Sequence, residues 1–373
     1  MKIIIDNKIP YIKGALEAFA EVLYIDGAKI NKESVRNADA LIIRTRTLCN
    51  AELLEGSTVK FIATATIGFD HIDTDYCNKV GIAWTNAPGC NSSSVEQYIA
   101  AALAHLHLKF KINLSQKTIG IIGVGNVGEK VARIAKLFGM KILLNDPPRE
   151  LVEGTNNFSA LAEIQQQADI ISLHTPLNKS GINSTSHLVD DSFIQACSKK
   201  PWIINSCRGE VTQTEALIHG INSGKLAGLI IDCWENEPNI NKELLALCEI
   251  ATPHIAGYSK DGKANGTSMS VQALSRFFQL GIDNWTCTNI EDAPTDTIII
   301  DGHNKSTSEI LSEAILQSYP ISQDNQKLRQ DTTQFEALRG NYPVRREFPY
   351  YSIEASNINK NDQDLLSSIG FKL

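Results

Sequence analysis

Three residues of complementary chemistry stand on separate short loops in the second half of the chain. They are Arg208 in Asn205-Ser206-Cys207-Arg208-Gly209-Glu210, Glu237 in Asp232-Cys233-Trp234-Glu235-Asn236-Glu237-Pro238, and His254 in Thr252-Pro253-His254-Ile255-Ala256-Gly257. A fixed guanidinium can hold a carboxylate and polarise a carbonyl. An imidazole can exchange a proton with an alcohol near neutral pH, and a carboxylate beside it can stabilise the cation it becomes. Singly, each motif reads as an ordinary turn or a core histidine. Together they match a redox reaction at a carbinol carbon, where hydride loss must be accompanied by loss of the hydroxyl proton. His71, His105, His107 and His174 have no such partner in view and are read as structural.

A second constellation lies upstream. Gly123-Val124-Gly125-Asn126-Val127-Gly128 is a G-x-G-x-x-G that follows an apolar run at 118–122 and precedes a segment in which Val127, Val131, Ile134, Ala135 and Phe138 recur at helical spacing. In that setting the first glycine permits a sharp turn and the second lets backbone approach a pyrophosphate. The third allows close helix–sheet packing, and the helix N-terminus faces the anion. Asp146 ends the next strand-like run, 141–146, where a carboxylate can accept from both ribose hydroxyls and would repel a 2′-phosphate. The expected cofactor is therefore NAD rather than NADP, although Arg149 is placed to offset part of that repulsion.

These loops need a scaffold. Runs at 118–123, 141–145, 170–173, 202–205 and 228–232 alternate with amphipathic stretches, the rhythm of a doubly wound Rossmann-type α/β sheet. Earlier runs at 2–6, 39–44, 59–63 and 82–85 predict a smaller parallel α/β unit. An Ala-rich helix from Ser92 to about Leu108 is expected to pass between lobes, and a helix from Asp261 to about Leu280 to return to the first. The expected organisation is a substrate domain at 1–91 resumed at 256–285, an NAD-binding domain at 92–255, and a small C-terminal α+β domain at 286–373.

Composition narrows the classes of function. The 373 residues exceed one ordinary core, are 43% hydrophobic and 21% charged, and show no low-complexity tract or repeat. A net charge of −7 without a basic run longer than a pair argues against a nucleic-acid partner. The opening Met1-Lys2-Ile3-Ile4-Ile5-Asp6 is too short for a signal peptide's apolar core, so a cytoplasmic protein with no membrane partner is expected. Eight scattered cysteines show neither a C-x-x-C pair nor metal-ligand spacing, so they read as reduced and mostly buried, with no metal expected.

In order and spacing, the Arg-Gly, Glu-Pro and Pro-His elements and the glycine turn resemble the D-2-hydroxyacid dehydrogenase family over about residues 35–285. The resemblance implies His254 as acid/base, Glu237 as its partner, Arg208 for the substrate carboxylate and carbonyl, and Asp232 near the nicotinamide. Ile43-Arg44-Thr45-Arg46-Thr47, Thr64-Ala65-Thr66-Ile67-Gly68-Phe69-Asp70-His71-Ile72-Asp73 and the tail Leu338-Arg339-Gly340-Asn341-Tyr342-Pro343-Val344-Arg345-Arg346-Glu347-Phe348 resemble one branch of that family. That branch implies a 4-phosphorylated four-carbon 2-hydroxy acid of pyridoxal 5′-phosphate biosynthesis as substrate, and a tail that makes a homodimer. It further implies that Thr45, Thr66 and Tyr258 contact substrate, and that Thr175, Ser206, Cys207, Arg208, Asp232 and Gly257 join Gly123, Gly125, Asn126, Val127, Gly128 and Asp146 in the NAD site. The branch often has serine where this chain has Thr45, which keeps the hydroxyl. Thr66-Ile67-Gly68 suits a nest of backbone N–H groups for a carboxylate. For the phosphate the candidate cations are Arg44 and Arg46, then Arg345 or Arg346 from the tail. The triad reads only a shared carboxylate and hydroxyl, so a phosphoglycerate-type dehydrogenase is the alternative, and a non-catalytic NAD-sensing protein a more distant one.

Overall fold

The computed structural model describes residues 1–373, which divide into two compact units. The first comprises Met1–Asn91 and Ser259–Asp292, the second Ser92–Tyr258 and Ala293–Leu373.

The first unit is built on a five-stranded parallel sheet: β1 (Lys2–Asp6), β2 (Glu21–Ile25), β3 (Ala40–Ile43), β4 (Phe61–Thr64) and β5 (Ala83–Thr85), in the spatial order β2-β1-β3-β4-β5. That is the flavodoxin-like winding. Ile3, Ile4, Ile5, Leu41, Ile42 and Ile43 are fully buried, the continuous apolar pattern of strands covered on both faces. Edge strand β2 escapes a sequence reading because none of its residues is fully buried and its outer side carries no partner strand. The returning helix is Lys260–Phe278, capped by Ser259, whose hydroxyl accepts from Gly262 N at 2.8 Å. Its Val271 and Leu274 join Ile3, Ile5, Ala40 and Phe61 in one core.

The second unit carries a six-stranded parallel sheet of β6 (Thr118–Ile122), β7 (Lys141–Asn145), β8 (Ile170–Leu173), β9 (Trp202–Asn205), β10 (Gly228–Ile231) and β11 (Ile250–Ala251), ordered β11-β10-β9-β8-β6-β7. Strand β6 lies between β7 and β8, where the winding reverses, so the turn after it opens at the carboxyl-end crevice where such sheets bind ligands.

The helix Ser92–Phe110, expected to pass between lobes, belongs wholly to this second unit and is buried on nearly every side. It packs against the first dinucleotide helix, Asn126–Leu137, on one flank and the tail helix Thr307–Ser318 on another, which explains its Ala100-Ala101-Ala102 stretch. Strands β12 (Thr297–Asp301) and β13 (Ser352–Ser356) form a separate parallel pair. Their Ile298, Ile300 and Ile353 join Tyr98, Ile119, Ile121 and Val131 in one continuous core, so the tail has its own small sheet but no core separate from the NAD-type unit.

Candidate active site

The glycine turn is set by steric necessity. Gly123 has φ +87°, and a Cβ there would meet the His174 carbonyl carbon at 2.7 Å; one on Gly128 would meet Gly123 O at 2.1 Å. A Cβ on Gly125 would meet nothing within 4 Å, which leaves open space where a pyrophosphate needs to approach. Asn126 and Val127 begin the Asn126–Leu137 helix behind the turn. The buried hydroxyl of Ser206 has no hydrogen-bond partner, and that of Thr175 none beyond the influence of the Cys207 thiol. Buried donors left open in this way beside a glycine turn fit a polar ligand such as a dinucleotide.

Asp146 ends β7 and caps the next helix, its Oδ1 accepting from Arg149 N at 3.1 Å and its Oδ2 from Val124 N at 2.8 Å. Arg149, the possible counterweight, is already neutralised: it pairs with Glu129 and Glu153, each at 2.6 Å. The carboxylate of Asp146 is thus the uncompensated charge at that position.

The catalytic candidates follow β9, β10 and β11. His254 Nδ1 lies 2.8 Å from Glu237 Oε2, and because a carboxylate only accepts, Nδ1 carries the proton and Nε2 is left as the exchanging atom. Glu237 Oε1 accepts from Trp234 N at 2.8 Å, and the Trp234 indole donates to Thr252 O at 2.9 Å. His254 has φ +54°, a left-handed conformation that a ring-bearing residue holds only when its surroundings impose it. Those surroundings centre on Asp232. Its Oδ1 accepts from Thr252 Oγ1 at 2.6 Å and Ile255 N at 2.8 Å, and its Oδ2 from Ala256 N at 2.9 Å. Burial raises the Asp232 pKa, opposed by His254, Thr252 and these two amides. Tyr98 OH meets Thr252 Oγ1 at 2.8 Å from the long central helix.

Arg208 follows β9, its Nη1 donating to Cys207 O at 2.7 Å, and it makes no ion pair. The Cys233 thiol shows how the loops converge: burial pushes its pKa far up, Asp232 and Glu237 add to the rise, and Arg208 opposes it. Cys233 Sγ, a Glu237 oxygen and a His254 nitrogen lie within 4.8 Å of one another. All eight cysteines are free and seven are buried; burial likewise raises the Cys207 pKa.

Several expectations change. Arg345 is enclosed within the second unit: it is 4% exposed, donates through Nη2 to Ala256 O at 2.5 Å, and stands 4.4 Å from the Tyr319 ring centroid. Asp324, which accepts from both Tyr319 OH and Tyr342 OH, completes that buried cluster. Arg346 lies 4.1 Å from the Tyr350 ring. His105 and His107 do have partners, Glu249 at 2.7 Å and Ile112 O at 2.8 Å, which only folding supplies. Missed altogether was Arg339, whose guanidinium stands 5.6 Å from the Tyr258 ring. Residue 339 lies within the Leu338–Phe348 stretch, but its distance in sequence from Tyr258 gives no sign of the pairing.

Thr45, Thr66, Arg44 and Arg46 belong to the first unit. Thr45 and Arg46 are exposed, and Arg44 donates to Lys8 O at 3.1 Å; neither arginine is in an ion pair. The Thr66 hydroxyl is used inside its loop, 2.8 Å from Thr64 Oγ1 and 2.9 Å from Gly68 O. Tyr258 and Gly257 close the catalytic-candidate loop in the second unit.

Comparisons with known proteins show the chain's family. Residues 95–256 match the family described as D-isomer specific 2-hydroxyacid dehydrogenase, NAD binding domain, and residues 293–370 match a domain of unknown function. The chain is 52% identical over 95% of its length to an erythronate-4-phosphate dehydrogenase of Bacteroides thetaiotaomicron, covering 99% of that protein. It is 38% identical over its whole length to one of Proteus mirabilis, covering 99% of it. Among solved structures, an NAD-bound 3-phosphoglycerate dehydrogenase of Entamoeba histolytica aligns with a TM-score of 0.62 at 28% identity, over 78% of this chain and 99% of that one. The chain therefore belongs to the erythronate-4-phosphate dehydrogenase family, within the D-isomer-specific 2-hydroxyacid dehydrogenases.

Proposed function

We propose that this chain oxidises the C2 hydroxyl of 4-phosphoerythronate with NAD, giving 2-oxo-3-hydroxy-4-phosphobutanoate, in pyridoxal 5′-phosphate biosynthesis in the cytoplasm. The observation that carries the reading is the 2.8 Å pairing of His254 Nδ1 with Glu237, on a loop of the same sheet whose glycine turn leaves open space at Gly125. Gly123, Gly125, Gly128, Asn126, Val127, Asp146, Thr175, Ser206, Cys207 and Gly257 would hold the dinucleotide. Asp232 would sit behind it as the anchor of the loop. Bound NAD supplies the acceptor for the C2 hydrogen.

The chain's own residues do the rest. Arg208, free of any carboxylate partner, holds the substrate carboxylate and polarises the C2 oxygen as the carbonyl forms. As the O–H bond breaks, its proton passes to His254 Nε2, and Glu237 stabilises the imidazolium. We assign substrate contacts to Thr45, Thr66 and Tyr258, with Arg44 and Arg46 as phosphate cations from the first unit. The tail is assigned to homodimerisation, as the resemblance of residues 338–348 implies. No helix is long and apolar enough to cross a membrane.

The decisive assay follows NADH formation with 4-phosphoerythronate, 3-phosphoglycerate and D-lactate, each with NAD and NADP. The highest kcat/KM is expected for the four-carbon phosphate with NAD. A preference for 3-phosphoglycerate would move the chain to the phosphoglycerate-type reading, and absence of turnover with every acid to an NAD-sensing role.

A further inference from the structure

The tail brings a cation to the catalytic-candidate loop from the short helix Phe335–Gly340. The Arg339 guanidinium lies 5.6 Å from the Tyr258 ring centroid and 5.9 Å from that of Phe335. Burial acts to lower its pKa, but the nearby Tyr258 and Glu237, followed by Glu336, outweigh this and raise it, so Arg339 is within electrostatic reach of the carboxylate that orients His254. Its ion pair, Nη1 to Glu336 at 3.0 Å, goes to a side chain 53% exposed. Its Nε is buried with no hydrogen-bond partner. A guanidinium held in a partly dry site with an unfilled donor is costly unless a ligand completes it, and its planar fork suits the oxygens of a tetrahedral oxyanion.

We propose that Arg339 recognises the terminal phosphate of the substrate and so sets the enzyme's preference for a phosphorylated acid over its unphosphorylated counterpart. Nε and one Nη make the forked contact, and the solvated Glu336 carboxylate gives way. This assignment rests on the proposed oxidation of 4-phosphoerythronate. Of the other tail arginines, Arg345 also has unfilled donors, but it is sealed at 4% exposure and spends Nη2 on Ala256 O. Arg346 is stacked on Tyr350. Arg339 differs from both: its side chain is 22% exposed, and its unfilled Nε lies buried just behind that exposed part.

The test is steady-state kinetics with 4-phosphoerythronate and with erythronate for the full-length wild type, Arg339→Met, Arg339→Lys and Glu336→Gln. Arg339→Met should raise KM for the phosphorylated acid by ~10- to 100-fold, the loss expected for a hydrogen-bonded charge pair, and leave KM for erythronate within about twofold. Arg339→Lys should recover part of that loss, since it keeps the charge and loses the fork. Glu336→Gln should raise KM for neither acid. Equal losses on both acids would overturn the proposal and mark Arg339 as acting through Glu237 alone; an unchanged KM would overturn it outright. If Arg339→Met fails to fold, Arg339→Lys decides, by a raised or an unchanged KM for the phosphorylated acid only. A wild type that favours erythronate would overturn the proposed substrate, and this assignment with it.

Discussion

The glycine turn after β6 and the His254 loop after β11 are both short connections at the same end of one sheet, yet they are specified in opposite ways. The turn is set largely by contacts within its own six residues, chiefly Gly128 against Gly123 O at 2.1 Å for a built Cβ, with the His174 backbone beside Gly123 as its remote wall. The loop holds His254 at φ +54° by bonds from residues 20 and more positions away: the Asp232 carboxylate to its amides, Trp234 to Thr252 O, Tyr98 to Thr252, and Arg345 to Ala256 O. A constraint of the first kind is visible in six letters. One of the second kind exists only after the tail and the central helix have packed.

The comparison breaks most visibly at the proton-transfer step. If remote bonds serve to aim one imidazole, His254→Ala should lower kcat by ~10²- to 10⁴-fold, with NAD affinity by fluorescence titration nearly unchanged. Turnover within about threefold of wild type would remove the loop from the chemistry. At the turn, two alanines should separate shape from ligand access. Gly128→Ala should destabilise the fold by ~1–3 kcal/mol in urea melts, because its Cβ overlaps a backbone oxygen. Gly125→Ala meets open space, so stability should shift by less than about 0.5 kcal/mol. NAD binding should nonetheless weaken roughly tenfold, ~1.4 kcal/mol. Equal melting of the two variants would contradict the division of labour.

This contrast also explains what the sequence disclosed. Strands buried on both faces, such as Ile3–Ile4–Ile5 and Ile170–Leu173, announce themselves as apolar runs, and so do the glycine turn and the triad motifs. Edge strand β2 and the two-residue β11 do not, because neither has enough buried positions to make a period. The roles of tail residues were the least legible. Arg345 and Arg346 looked like equivalent phosphate cations as neighbours in sequence. Packing gives one to Ala256 O and the other to the Tyr350 ring, and leaves Arg339 beside Tyr258. Which tail arginine stands beside the Tyr258 loop is decided by packing over long sequence distances, and no local pattern encodes that.

A tail-held loop should respond to the tail. Arg345→Met leaves Ala256 O without its donor and the Asp324–Tyr319–Tyr342 cluster with only the half-exposed Lys327 as a cation. The expected cost is ~1–3 kcal/mol in stability. Hydrogen exchange across 252–258 should speed up beyond that of the 118–128 segment, with a fall in kcat smaller than for His254→Ala. Uniform acceleration in both segments would mean that Arg345 only stabilises the unit as a whole.

The smallest effect comes from a local constraint that is electrostatic rather than steric. His71 is 7% exposed and bonded through Nε2 to Thr64 Oγ1 at 3.0 Å, seven residues away in sequence. Burial lowers its pKa below the ordinary 6.5, with Asp70 opposing. In the unfolded chain the ring takes up a proton below pH ~6.5, whereas in the folded chain it stays neutral to lower pH, so proton uptake favours unfolding. The stability it contributes is therefore complete above pH ~6.5 and is lost as pH falls from there toward the folded pKa, at no more than ~1.4 kcal/mol per pH unit for one proton. Urea midpoints at pH 7.5 and 5.5 should differ more for the wild type than for His71→Gln, which cannot titrate. Identical differences would show that the buried ring, unlike the glycines of the turn, leaves no energetic mark that its own neighbourhood can be credited with.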